Sequence, residues 1–138
     1  MHIFKRVAAS LSLAAVTILT DSLLTAGLAN AASSPIEACG GGYHEIDHRD
    51  IPGARIHLLY NGKTNCVVTW KTKDIGHATY TQAIVSFTGG RGTVNDTNHY
   101  KYYAGPVKID APGECIEWGG ATGFRESEGW RSRPSHCG

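Results

Sequence analysis

The sequence predicts an all-β fold: a small, disulfide-stabilised antiparallel β-sandwich or barrel of six to seven short strands, following a signal peptide. Three observations carry this. Apolar residues alternate with polar ones along several stretches, as in Ile56, Leu58 and Tyr60, which is the period of a half-buried strand. The 17 glycines and five prolines punctuate the chain at short intervals, giving many turns and few helices. All four cysteines fall after the leader, a usage typical of small exported domains.

The leader is read over residues 1–31. Lys5 and Arg6 precede an uncharged apolar run from Val7 to Leu19, too short to span a bilayer. Asp21 interrupts any longer apolar stretch, and Ala29-Asn30-Ala31 supplies the small residues at which a signal peptidase cuts, so cleavage is expected before Ala32. A single secreted β domain, 32–138, remains, with no further apolar segment to hold it in a membrane. Cleavage takes Lys5, Arg6 and Asp21 from the 13 basic and 12 acidic residues and leaves a formally neutral domain. Basic and acidic residues alternate throughout, which excludes the basic face of a nucleic-acid binder. Nothing in the sequence sets the oligomeric state.

Cys39, Cys66, Cys115 and Cys137 contain no C-x-x-C pair, so they read as two disulfides and not as a zinc site. Of the three pairings, Cys39 with Cys66 and Cys115 with Cys137 is favoured, because each closes a moderate loop without crossing the other. Loop entropy gives roughly 3.5 kcal/mol per bridge, comparable with the net stability of a domain this small.

His44 to His48 is read as a solvent-exposed strand. Ala54 to Tyr60 and Cys66 to Trp70 then alternate around the hairpin signal Asn61-Gly62. A two-residue loop would set Leu58 opposite Asn65. A three-residue loop, Asn61 to Lys63, pairs Leu58 with Cys66, Ile56 with Val68 and Ala54 with Trp70, keeping apolar residues on one side, and is preferred. His77 to Phe87 is a long strand with Ala83, Val85 and Phe87 on one face. The following Gly89-Gly90-Arg91-Gly92 precedes no helix and no Lys-Ser/Thr pair, so it is a turn and not a phosphate cradle. Across Pro112-Gly113, Tyr102 to Asp110 is expected to pair with Glu114 to Gly119, with Val107 opposite Trp118, Ile109 opposite Ile116, and Lys108 in an ion pair with Glu117.

Sites of chemistry are sparse. On a strand His44 and His48 share a face but stand about 13 Å apart, too far for one metal ion. Glu114 and Glu117, three apart, point to opposite faces and do not form a glycosidase pair. No Ser lies in a G-x-S-x-G elbow. The reading therefore assigns no catalytic residue, no metal and no cofactor, and the protein is expected not to be an enzyme. A hydrolase alternative would need one of His44, His57, His77 or His99 to meet a carboxylate in a concave site. Tyr100, Tyr102, Tyr103 and Trp130 are the candidate ligand-contact aromatics, since exposed Tyr and Trp stack on sugar rings or partner proteins.

The sequence resembles the spore-associated protein A family, small exported proteins of spore-forming filamentous bacteria. The likeness is carried by Cys39-Gly40-Gly41-Gly42-Tyr43, Leu59-Tyr60-Asn61, Asn65-Cys66-Val67-Val68-Thr69, Tyr103-Ala104-Gly105-Pro106-Val107, Cys115-Ile116-Glu117-Trp118-Gly119-Gly120 and Cys137-Gly138. It departs in the charged tail Arg125 to Arg133 and at Glu117, where relatives are expected to carry a shorter acid. The resemblance implies an extracellular protein found with the spore surface or the medium, with spore-surface or cell-wall material as partner, and assigns no catalytic residues. A polysaccharide or cell-wall binding module is the alternative reading.

Overall fold

A computed structural model describes residues 32–138, so the leader lies outside the described residues. A single helical turn, Pro35–Ala38, opens the structure. Ser34 caps it, its hydroxyl accepting a 3.2 Å hydrogen bond from the Glu37 N–H, and Pro35 starts it where no N–H is needed. Eight strands follow: β1 (His44–Ile51), β2 (Ala54–Tyr60), β3 (Thr64–Lys71), β4 (Thr79–Phe87), β5 (Val94–Tyr100), β6 (Tyr103–Asp110), β7 (Ile116–Ala121) and β8 (Gly129–Arg131). They form two antiparallel sheets, ordered β1-β2-β3-β6 and β5-β4-β7-β8. No ladder joins one sheet to the other, so the fold is a sandwich and not a closed barrel.

The strand count exceeds the six to seven expected. β5 reads Val-Asn-Asp-Thr-Asn-His-Tyr and is mostly exposed at a sheet edge, so it carries no apolar alternation, and β8 has only three residues.

The core between the sheets is made by Ile56, Leu58 and Val67 from the first sheet's centre, Val107 and Ile109 from β6, and Ala83, Val85, Ile116 and Trp118 from the second sheet. Each fully buried aliphatic side chain here stabilises the fold by about 1.5–3 kcal/mol. A second apolar cluster lies on the other side of the first sheet. There Cys39, with partly buried Ala38 and Tyr43, packs against Leu59, Cys66 and Val68, beside Trp70 and Tyr103. Disulfides join Cys39 to Cys66 and Cys115 to Cys137.

This two-sided burial overturns the expected β2–β3 register. Leu58 pairs with Val67, Ile56 with Thr69 and Arg55 with Trp70. Cys66, Val68 and Trp70 therefore belong to the outer cluster, and the apolar alternation of β3 does not mark the inner face. The turn chemistry agrees: Asn61 Oδ1 accepts from the N–H groups of Lys63 (3.0 Å) and Thr64 (2.7 Å), so Asn61 precedes the turn and Gly62, at φ 96°, lies within it.

The expected hairpin across Pro112-Gly113 does not form either. β6 pairs with β3 and β7 with β4, so this turn crosses between sheets. Val107, Ile109, Ile116 and Trp118 do share one core, but from facing sheets. Lys108 and Glu117 part company as a result: Lys108 Nζ donates to Cys39 O at 2.6 Å, while Glu117 accepts from the Gly89 N–H at 3.1 Å and pairs with Arg131 at 3.9 Å.

Gly120 faces the first sheet where no side chain would fit. A Cβ there would stand 2.2 Å from Thr69 Oγ1 and 2.6 Å from Gln82 O. The space left by the missing side chain admits a direct hydrogen bond between sheets, Thr69 Oγ1 donating to Gln82 O at 2.7 Å.

Candidate surface-binding site

β4 buries Thr81, Ala83 and Val85 and leaves Tyr80, Gln82 and Ile84 partly exposed on the outer side of the second sheet. Next to them, β5 brings Asn95 opposite Ile84, Thr97 opposite Gln82 and His99 opposite Tyr80. Gln82 Nε2 donates to Asn95 Oδ1 at 3.0 Å, and Thr97 Oγ1 donates to the same oxygen at 2.9 Å, making a row of amides and a hydroxyl. Tyr80 meets His99 edge-on and carries the Phe124 ring at 4.4 Å between centroids. Phe124 is 87% exposed, so its ring is displayed and not buried. Beside it runs a groove of about 330 Å³, walled by Gln82, Ile84, Phe124 and Arg131, with a low floor at Gly120, Ala121 and Gly129.

An open aromatic surface flanked by neutral donors and acceptors can stack on a pyranose ring while hydrogen-bonding its hydroxyls. Arg131 donates to Ser86 Oγ and lies 3.9 Å from Glu117, while exposed Arg125 and Glu126 bring one charge of each sign to the groove.

Of the four aromatics singled out in the sequence, Trp130 alone lines the groove beside Phe124, and the other three lie elsewhere. Tyr100 is partly buried, its hydroxyl donating to Asp96; that bond, with burial, pushes the phenol pKa up to about 12. Tyr102 is half-exposed between β5 and β6, and its carbonyl accepts from the Lys71 N–H. Tyr103 stacks on Trp70 at 4.9 Å, on the outside of the first sheet. Trp130, on the far edge of the second sheet from Tyr100, packs edge-on against Trp118 under the Arg49 guanidinium. The rings on this face are those of His99 and Phe124, both exposed, and of Tyr80, partly exposed. Phe124 could have been flagged, since Gly123-Phe124-Arg125 sets a ring among glycine and charges outside any alternation.

The histidines divide differently from the sequence reading. The β1–β2 ladder shifts between Glu45 and Asp47, so His44 lies opposite Tyr60 while His48 lies opposite His57. One extra residue places the two histidines on opposite faces, not on the shared face expected. Glu45 contacts both His57 Nδ1 and His48 Nδ1, the latter at 3.4 Å. A histidine therefore does meet a carboxylate, and Glu45, His48 and His57 stand apart from the grooves beside Phe124, Lys71 and Asn65. Glu114 pairs with Arg91 at 2.9 Å. Among the described residues no group of three or more His, Cys, Asp or Glu is placed to hold a metal ion, and no helix is long and apolar enough to cross a membrane.

Fold and site together define a small β-sandwich, fastened by two disulfides, with an exposed aromatic face. The chain belongs to the spore-associated protein A family. It is 36% identical over 124 residues to spore-associated protein A of Streptomyces coelicolor, an alignment covering 84% of this chain and 78% of that relative. No family model and no solved structure matches it.

Proposed function

We propose that the protein is exported and acts outside the cell as a non-catalytic, spore- or surface-associated β-sandwich. The observation that carries this reading is the relative's spore association, stated in its name. The expected leader over residues 1–31 supports export, and the two disulfides suit an oxidising compartment. The direct test is fractionation of a sporulating culture with an antibody to residues 32–138. Protein in the spore wash or medium, beginning at Ala32, is the expected result. A chain that stays in the cytoplasm with reduced cysteines sinks the reading.

The aromatic face favours a second, compatible reading, in which that face holds spore or wall polysaccharide. Retention on insoluble peptidoglycan, chitin or cellulose, lost in Phe124→Ala, would support it. Passage through all three removes it. The non-catalytic part is tested by a hydrolase screen on purified protein: an activity that disappears in His57→Ala would replace this reading with an enzymatic one built on Glu45 and His57.

A further inference from the structure

A separate concavity, of about 380 Å³, shares no lining residue with the aromatic groove. Its parts come from distant stretches of chain. The slip in the β1–β2 ladder makes Ile46 the extra residue of a bulge, a device that re-aims side chains beside sites. Tyr60 and Asn65 are the last laddered pair of β2 and β3 before their turn. Ala111 follows β6, and the segment after β8 returns to close the wall with His136 and Cys137.

That returning segment is fastened three times. Ser135 exchanges 2.9 Å backbone hydrogen bonds with Ile116, Cys137 is bonded to Cys115, and His136 Nε2 lies 3.1 Å from Asp47 Oδ2. His136 adopts φ 52°, a left-handed conformation that costs a side-chain-bearing residue of order 1 kcal/mol and is held here by these ties.

The wall chemistry limits what can enter. Asn65 is only 5% exposed, lines the cavity, and its side chain makes no hydrogen bond among the described residues. Among the described residues the fully buried side-chain atoms without a partner are Trp118 Nε1 and Ser135 Oγ, so the Asn65 amide keeps its contact with solvent through the cavity, where a ligand can pair with it. His136 also lines the wall, and its Nε2 lies 3.1 Å from Asp47 Oδ2, so that ring nitrogen is already engaged by a carboxylate. Ile46, Ala111 and Cys137 make the apolar part of the wall, and Tyr60 and Gly138 complete it. A fitting ligand is uncharged and joins an amide to a methyl-sized apolar group. The volume lies at the small end of ligand sites and has room for one sugar unit.

We infer that this pocket takes the acetamido group of an N-acetylated amino sugar, the methyl against Ile46 and Ala111 and the amide on Asn65. The inference uses the polysaccharide reading only for the polymer to which that sugar belongs, and the site is distinct from the Phe124 face. The test is an NMR titration of the oxidised, secreted protein with N,N′-diacetylchitobiose, its deacetylated counterpart and cellobiose. Backbone shifts at Ile46, Asn65, Ala111 and His136 with the acetylated disaccharide alone are expected, weakened about tenfold in Asn65→Leu, the loss of one good hydrogen bond. Unmoved resonances at millimolar diacetylchitobiose, or equal shifts with cellobiose, overturn the assignment, and the wild-type titration decides it even if Asn65→Leu does not fold. Retention on chitin with an unmoved pocket leaves the wall-binding reading standing and removes this one; pocket shifts without retention on any polymer do the reverse.

Discussion

Lys71 Nζ donates a 3.0 Å hydrogen bond to the carbonyl oxygen of Tyr100, joining the end of β3 in one sheet to the end of β5 in the other. The same ammonium donates to the carbonyls of Asp74 (3.0 Å) and His77 (2.6 Å), so its three protons meet three acceptors supplied by the loop after β3 and by β5. Lys71 is 3% exposed, and burial pulls its pKa down. Lys71→Met keeps the apolar stem and strands all three carbonyls. It should lower unfolding free energy by about 2–4 kcal/mol and strip amide-exchange protection from residues 72–78. A urea midpoint matching wild type would show the cage to be incidental.

Tyr100 gives a pH signature. Its hydroxyl proton is held by Asp96 and by burial, which raises the pKa from 10.0 to about 12. The folded state thus keeps a proton that the unfolded state releases. This contribution is complete below pH 10 and is lost as pH rises to about 12. Tyr100→Phe should flatten that alkaline limb, and tyrosinate absorbance should show one phenol ionising late. An unchanged limb in the variant would assign the alkaline loss to other groups.

At Gly120 a methyl would force apart Thr69 Oγ1 and Gln82 O, which the structure holds in a hydrogen bond. Gly120→Ala should cost about 2 kcal/mol or more by overpacking. Adding Thr69→Ala should recover part of that loss, a non-additivity measurable by denaturant unfolding of the three variants. Simple additivity would mean that the sheets relax without that contact.

Phe124→Ala separates surface function from stability. The ring is almost wholly exposed, so its removal should shift unfolding free energy by less than about 0.5 kcal/mol while abolishing any retention on wall polymers. A large drop in thermal midpoint would instead identify Phe124 as part of the packing.

Strand class was readable because Ile56, Leu58, Ala83, Val85, Val107 and Ile109 alternate where strands occur. Sheet membership was not. Val107, Ile109, Ile116 and Trp118 have the same period whether neighbours in one sheet or opposed across a core, and only the pairings of β6 with β3 and β7 with β4 distinguish the two. Leu59, Cys66 and Val68 misled for a related reason, since the helical turn and Cys39 cover the outside of their sheet. The aromatic face escaped because Tyr80 and Phe124 lie 44 positions apart in the chain and meet only through the fold.

The placement of β6 in one sheet and β7 in the other separates disulfide formation from sheet assembly. Cys39–Cys66 closes around β1, β2 and the start of β3, which pair with one another, and Cys115–Cys137 closes around β7 and β8, which do the same. Each crosslink can therefore mature inside a short contiguous stretch, while the slow, entropically distant steps are the insertion of β6 beside β3 and of β7 beside β4. β6 lies outside both loops. Oxidation and sheet docking are thus topologically independent, and a chain that forms its sulfur bonds first still has every strand free to find its place.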